Sequence, residues 1–111
     1  MYIELFKEPN AEMDVVTQYI LGLESLEEQT KILALLDKID EGGAKYLITS
    51  HEHNTKKIED DMFEIKIAKN RFLYCYRKGN KIHIVHAFTK STQKLPTLDK
   101  KLARKRIKSI S

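Results

Sequence analysis

Hydrophobic and polar residues alternate with a period of two in three neighbouring runs of the C-terminal half, residues 62–67, 71–77 and 82–89. Aromatic and β-branched residues are frequent in these runs, and short clusters containing Asn or Gly separate them. This pattern predicts three consecutive antiparallel strands joined by tight turns, a β-meander.

The alternation also predicts which side chains share a face of the sheet, because successive strand residues point to opposite sides. In the middle run one face carries three aromatic residues, Phe72, Tyr74 and Tyr76, and the other carries Arg71, Leu73, Cys75 and Arg77. In the third run the alternation groups Ile82, Ile84, His86 and Phe88 against His83, Val85, Ala87 and Thr89. Cations therefore cluster near the strand ends.

The N-terminal half predicts a short strand followed by two helices. Residues 2–6 form the strand candidate, and residues 11–23 have helical spacing with Asn10 as the predicted N-cap. Ser25 and Glu28 match a capping box that begins a second helix, which Gly42-Gly43 is predicted to end. Residues 44–61 have no clear period and predict a loop with a short helix or an irregular edge.

After the meander, Thr97 is predicted to cap a final helix, in which Lys and Arg surround a narrow apolar stripe. The predicted element order is β-α-α-loop-β-β-β-α. We expect one α+β domain over residues 1–111, with an N-terminal strand and a helical hairpin packed on the antiparallel meander and a C-terminal helix after it.

Composition limits the class of protein and its partners. The chain has 111 residues, 32% of them charged, and a formal net charge of +4, which suits a soluble protein with an anionic partner. It has no apolar run of roughly 20 residues and no signal-peptide pattern at its N-terminus, so we expect no membrane association. Cys75 is the one cysteine, which excludes an internal disulfide and suggests the reducing cytoplasm.

Three segments together resemble a known family. They are Phe63-Glu64-Ile65-Lys66, Arg71-Phe72-Leu73-Tyr74, and the stretch His86-Ala87-Phe88-Thr89-Lys90-Ser91-Thr92-Gln93-Lys94-Leu95-Pro96, followed by Ala103 and Arg106. Their order resembles the HigB-like, phage-derived branch of the RelE/ParE toxin superfamily of type II toxin–antitoxin systems. The stretch from His86 to Pro96 is the specific part of the likeness, which covers about the C-terminal half.

The resemblance implies a RelE-like fold and a ribosome-dependent endoribonuclease that cuts mRNA through the RNA's own 2′-hydroxyl, with no metal and no cofactor. It also implies a heteromeric complex with a cognate antitoxin, usually a helix-turn-helix protein, and contact with mRNA and 16S RNA on the ribosome. Such a reaction needs a base for the hydroxyl, cations for the phosphate and an acid for the leaving 5′-oxygen.

Six residues are candidates for this chemistry. The candidate catalytic residues are Arg71, Lys90 and His86, and the candidate RNA-binding residues are Lys66, Arg77 and Lys94. Arg71 ranks first because a planar guanidinium binds two phosphate oxygens at once. His86 could act as acid or base, although a hydrogen-bonded core histidine is the favoured interpretation. Each cation alone could also be a solvated surface charge.

Several alternatives stay open at this point. The chain ends without the Tyr or His that several ribosome-dependent relatives place near the C-terminus, so the general acid and base are unassigned. The protein could instead inhibit DNA gyrase, like the ParE branch, or be a non-catalytic phage-derived binding protein. A metal site at His51-Glu52-His53, a nucleophilic Cys75 and base stacking on Tyr74 and Tyr76 are each less favoured than a solvated loop or core packing. The basic last helix could follow a phosphate backbone, hold an acidic partner or be solvated.

Overall fold

Five strands form a single mixed sheet in the order β1-β5-β4-β3-β2. The computed structural model describes residues 2–49, 54–91 and 96–110. Its elements are β1 (Ile3–Leu5), α1 (Val15–Leu21), α2 (Leu26–Thr49), β2 (Asn54–Glu59), β3 (Met62–Ile67), β4 (Asn70–Arg77), β5 (Lys81–Thr89) and α3 (Thr97–Lys108). β1 pairs in parallel with β5, and the other neighbours are antiparallel. The predicted α+β class and the β3-β4-β5 meander are confirmed.

The first helix begins later than predicted. Asp14 is its N-cap, and the Asp14 carboxylate accepts from the Thr17 backbone N–H and hydroxyl, both at 2.7 Å. Asn10 instead lies in a turn with a φ of +69°, so the prediction that it caps the helix was wrong. For the second helix, the Ser25 hydroxyl accepts from the Glu28 N–H at 3.2 Å, as the capping-box pattern predicted.

Gly43 interrupts the second helix without ending it. Its φ of +66° is the left-handed conformation expected at a helix stop, yet helical residues resume and continue to Thr49. A Cβ at this position would lie 3.0 Å from the Tyr2 ring, so glycine also permits a close approach to the N-terminal segment. A helix stop at Gly42-Gly43 was predicted, and helical residues 44–49 agree with the short helix predicted as one possibility for the segment that follows.

Residues 44–61, predicted as a loop with a short helix or an irregular edge, contain the end of α2 and a strand, β2, at the edge of the sheet. Thr55, Lys56 and Lys57 are exposed, so no apolar alternation marks this strand in the sequence. Lysines on an edge strand discourage pairing with another chain, which is a reason for the polar composition. A register shift between Lys57 and Glu59 adds to the irregularity.

A bulge changes the predicted faces of β5. The register shifts between Leu73 and Tyr74, because Leu73 pairs with His86 whereas Tyr74 pairs with Ile84. Val85 is the extra residue, and both Val85 and His86 contact the α3 side of the sheet. The prediction that His86 and Phe88 share a face with Ile82 and Ile84 was therefore wrong. The predicted faces of β4 are confirmed.

Each face of the sheet has its own apolar cluster. The larger cluster joins α1 and α2 to side chains that include Ile65, Phe72, Tyr74 and Ile84. The smaller joins α3, through Ala103 and Ile107, to Met62, Leu73, Cys75, Val85 and Phe88. Within the described ranges, no helix combines the length and hydropathy needed to cross a membrane.

Candidate nucleic-acid site

A cavity of about 250 Å³ opens on the α3 side of the sheet, and four cations line it. We call it the basic cleft, and its lining residues are Thr55, Lys56, Glu64, Lys66, Arg71 and Lys90. Three neighbouring strands and the residue after β5 contribute to it. The structure thus brings together three predicted residues, Lys66, Arg71 and Lys90, and adds Lys56 and Glu64.

The strand register explains why these side chains meet. Lys66 is directly opposite Arg71, and Lys56 is directly opposite Glu64, so each pair lies on one face. Lys90 follows the end of β5, and its backbone N–H donates to the Lys69 carbonyl at 2.8 Å. The β3–β4 turn therefore holds the Lys90 backbone beside the cleft.

Arg71 is buried and is held by the turn that precedes it. Its Nη1 donates to the Ala68 carbonyl at 2.7 Å and to the Asn70 carbonyl at 3.2 Å. Its Nε lies 3.6 Å from Glu64 Oε1 but makes no hydrogen bond to any described residue. These two bonds fix one end of the guanidinium, while the buried Nε–H faces Glu64 without a hydrogen bond.

Glu64, like Lys56, is a cleft residue that sequence reasoning missed. It is only 3% exposed, and its Oε2 has no hydrogen-bond partner among the described residues. A buried carboxylate with an unsatisfied oxygen is costly, and such groups are often explained by a ligand or by catalysis. A signal was present, because the alternation Phe63-Glu64-Ile65-Lys66 places Glu64 on the same face as Lys66.

A polar network on the opposite face supports the Arg71 segment. The Tyr19 hydroxyl donates to Asn70 Oδ1 at 2.6 Å and lies 2.7 Å from the Thr89 hydroxyl. Asn70 Nδ2 donates to Glu28 Oε1 at 3.2 Å and to the Ile67 carbonyl at 3.1 Å. Burial raises the pKa of Tyr19 above its ordinary value, so this hydroxyl keeps its proton. The helical hairpin thereby positions the residue that precedes Arg71.

His86 lies outside the basic cleft, and both of its ring nitrogens have partners in α3. Its Nε2 is 2.6 Å from Asp99 Oδ1, and its Nδ1 is 3.1 Å from Arg106 Nη1. Because Arg106 can only donate, Nδ1 accepts and the hydrogen sits on Nε2. This geometry ties α3 to β5, and it leaves neither nitrogen open to a substrate.

Arg77 is a predicted residue that does not join the cleft. Arg77 lies at the other end of β4, where it donates to Asp61 at 2.8 Å and to the Ile107 carbonyl at 3.3 Å. The Asp61 hydrogen bond raises the pKa of the Arg77 guanidinium. Lys94, like the His51-Glu52-His53 motif, lies outside the described residues.

Packing in the interior disfavours a nucleophilic Cys75 and base stacking on Tyr74 and Tyr76. Cys75 is fully buried, and burial raises the pKa of its thiol to about 11, which disfavours the reactive thiolate. Tyr74 is 1% exposed and stacks on Phe63 with ring centroids 5.6 Å apart. Tyr74 therefore packs in the core, which is its favoured interpretation, and Tyr76 contacts the same aromatic group.

A mixed five-stranded sheet, a helical hairpin on one face and a basic cleft on the other define an α+β domain of the RelE type. The family model Phage derived protein Gp49-like (DUF891) matches residues 19–108, and the chain belongs to this family. The family is one of RelE/HigB-like toxins, so the predicted resemblance is confirmed at that level. No curated protein matches the chain.

Proposed function

We propose that this protein is the toxin of a type II toxin–antitoxin pair and that it cleaves mRNA on the ribosome. The observation that carries the proposal is the basic cleft, in which Lys66, Arg71 and Lys90 surround a buried carboxylate. Family membership supports the class of toxin. The cleavage, its substrate and the roles of the residues are our inference from the geometry.

Glu64 is the proposed general base. Glu64 lines the cleft, and its carboxylate can accept the proton of a ribose 2′-hydroxyl, after which the 2′-oxygen attacks the adjacent phosphorus. The bond from phosphorus to the 5′-oxygen breaks, which leaves a 2′,3′-cyclic phosphate and a 5′-hydroxyl. An ammonium of Lys66 or Lys90 lies in the same cavity and can supply the proton that the leaving oxygen needs.

Arg71 is the proposed phosphate-binding residue. Its Nη1 donates to two carbonyl groups, so the guanidinium is held in a fixed orientation in the lining of the cleft. A donor fixed before the substrate arrives stabilises the charge that develops on the phosphate without reorganisation in the transition state. A phosphate oxygen would also give the buried Nε–H the hydrogen bond that it lacks.

The proposed partners follow from the charge of the cleft. The cleft holds four cations and one carboxylate, and an antitoxin segment that covers it should present acidic side chains. The same cations suit the phosphates of mRNA and of 16S RNA. We therefore expect the antitoxin and RNA to compete for this surface in the cytoplasm.

Primer extension on a defined mRNA, with and without programmed ribosomes, tests the proposal. We expect cuts that require ribosomes, and a loss of on the order of 100-fold or more in cleavage rate for Glu64→Gln and for Arg71→Ala. Lys69→Gln is the matched control for Lys66→Gln and Lys90→Gln, because Lys69 is an exposed lysine of the β3–β4 turn that does not line the cavity.

Other outcomes point to other functions. Full cleavage by folded Glu64→Gln would remove Glu64 from the mechanism and return attention to His86. Growth arrest that persists in cells carrying Arg71→Ala and Lys90→Ala, without RNA cuts, would favour a gyrase inhibitor. A wild-type protein that neither cuts RNA nor arrests growth would favour the binding-only alternative.

A further inference from the structure

The six cations of α3 divide into two groups with different surroundings. Lys100 and Arg104 pair with Glu59 at 3.0 and 2.8 Å, and Arg106 pairs with Glu8 at 3.4 Å. The other three, Lys101, Lys105 and Lys108, are exposed and pair with no described carboxylate. We call these three residues the α3 lysine stripe.

The α3 lysine stripe runs along one side of the helix. Its members are four and three residues apart, so they share a face and are separated by rises of about 6 and 4.5 Å along the axis. Lys105 also borders a cavity of about 630 Å³ that Lys7, Glu8 and Arg106 line as well, so Lys7 adds a further cation and Glu8 one carboxylate at the edge of the stripe. The arrangement is a row of positive charge rather than a single binding point.

The neighbouring acids are paired with other cations. Glu59 and Glu8 line cavities beside Lys101 and Lys105, but they form ion pairs with Lys100, Arg104 and Arg106. Asp99 is the only carboxylate of α3, and it lies 2.6 Å from His86. Helix α2 is the opposite case, because it carries five carboxylates and three lysines. The apolar cluster of α3 lies on the same side of the sheet as Arg71 and Leu73, so α3 and the basic cleft give this side its positive charge.

We propose that the α3 lysine stripe is a second RNA-binding surface, which contacts the phosphate backbone of a structured RNA while the basic cleft contacts the strand to be cut. This inference rests on the proposed function for the identity of the partner. A row of ammonium groups binds phosphates as point charges and needs no base contact. Ribosomal RNA has the matching chemistry.

An acidic protein segment is the competing occupant, and the surface fits it less well. Stable protein interfaces usually centre on several buried apolar or aromatic anchors. Helix α3, which is described from end to end, exposes one large hydrophobic residue, Leu98. Phosphate binding requires only the charges that the stripe provides.

The salt dependence of RNA binding tests the proposal. We would titrate a fluorescein-labelled RNA hairpin with wild-type protein and with the triple variant Lys101→Gln, Lys105→Gln, Lys108→Gln between about 50 and 200 mM salt. Each neutralised phosphate contributes about 0.7 to 0.9 to the slope of log K against log salt, so the triple variant should lower the slope by about two to three. Its thermal unfolding midpoint should stay unchanged.

The matched control is Lys31→Gln, Lys38→Gln, Lys45→Gln, which removes the same charge from three exposed lysines of α2. The proposal requires this control to keep the wild-type slope. Equal changes in both triple variants would show a net-charge effect, and an unchanged slope in the α3 variant would show that the stripe does not bind RNA. Either result overturns the proposal.

A poly-glutamate peptide distinguishes the competing occupant. If the α3 variant loses poly-glutamate binding and keeps the RNA slope, the stripe serves an acidic protein and the proposal is wrong. The binding assay is independent of cleavage. A protein that shows the predicted slopes but cuts no mRNA would retain the RNA-binding surface and lose the proposed nuclease function.

Discussion

The two faces of the sheet differ in how completely they are used for packing. On the α1/α2 face, side chains from every strand except β2 join a large apolar cluster. On the other face, α3 covers Leu73, Cys75 and Val85, and the cleft beside it contains Glu64, Lys66 and Arg71. One face supplies most of the core, which leaves part of the other available for charge.

The core side chains and the charged side chains of β4 lie on opposite sides of the same strand. Phe72 and Arg71 are consecutive residues, yet one is a core aromatic and the other is a buried cation paired with Glu64. A buried ion pair with unsatisfied atoms gives no stability advantage over apolar residues. Its presence in a well-packed domain is therefore best explained by a ligand.

The largest effect should follow a change on the packed face. Phe72 is fully buried in the larger cluster and lies edge-on to Tyr19 at 6.0 Å. Phe72→Ala removes a large aromatic side chain and leaves a cavity, so we expect the free energy of unfolding to fall by about 3 to 5 kcal/mol. Urea denaturation followed by circular dichroism measures this.

The control for that variant is Leu26→Ala on α2. Leu26 is 76% exposed, and its replacement should change the free energy of unfolding by less than about 0.5 kcal/mol. If Phe72→Ala cost no more than Leu26→Ala, the α1/α2 face would not be the main source of stability and the comparison would fail.

The faces of β4 could be predicted because a half-buried strand shows its apolar side directly. Phe72 and Tyr74 alternate with Leu73 and Cys75, and this order agrees with the structure. The face of His86 could not be predicted, since a bulge adds one residue without a Gly or Pro to mark it. One extra residue reverses every later side chain of that strand.

The sequence predicted three cations of the candidate site. It did not predict that one of them, Arg71, lies beside the carboxylate of Glu64. Arg71, Lys66 and Lys90 were found because they lie at strand ends or in the following loop. Lys56 was missed because the edge strand β2 has no apolar pattern, and Glu64 was missed because phosphate binding predicts cations and not a carboxylate. The burial of Glu64 depends on the packing of three strands, which one strand's periodicity does not show.

A medium effect should follow the loss of the contacts that hold α3 on its face. His86→Ala leaves Asp99 and Arg106 without their shared partner, so we expect unfolding to become easier by about 2 to 4 kcal/mol. His83→Ala is the matched control. His83 lies on the same strand and makes no hydrogen bond to a described side chain, so its loss should cost less than about 1 kcal/mol.

The same variant separates two roles for His86. If His86 only positions α3, His86→Ala should cleave RNA at the wild-type rate when it is assayed well below its thermal unfolding transition. A rate loss as large as that of Glu64→Gln, in protein that is fully folded, would restore His86 as an acid or base.

The smallest effect concerns the pH dependence of stability under α3. Burial raises the pKa of Cys75 to about 11 from an ordinary value of about 9, so the unfolded chain loses this proton at lower pH than the folded chain does. The group's contribution is complete below about pH 9 and is lost as pH rises towards 11. The free energy of unfolding that is lost in this way between about pH 8 and 10 is roughly 1 kcal/mol.

Cys75→Ala should therefore flatten the fall in unfolding free energy between these two pH values, as urea denaturation at each pH would show. Burial also raises the pKa of Tyr74, but the ordinary value for a tyrosine is 10, so its contribution is lost mainly at higher pH than this window. An identical pH dependence in wild type and Cys75→Ala would mean that water reaches the thiol. The sheet would then be loosely packed beneath α3 as well as open at the cleft. Helix α3 would be held more by its polar contacts to His86 and Arg77 than by the burial of Ala103 and Ile107.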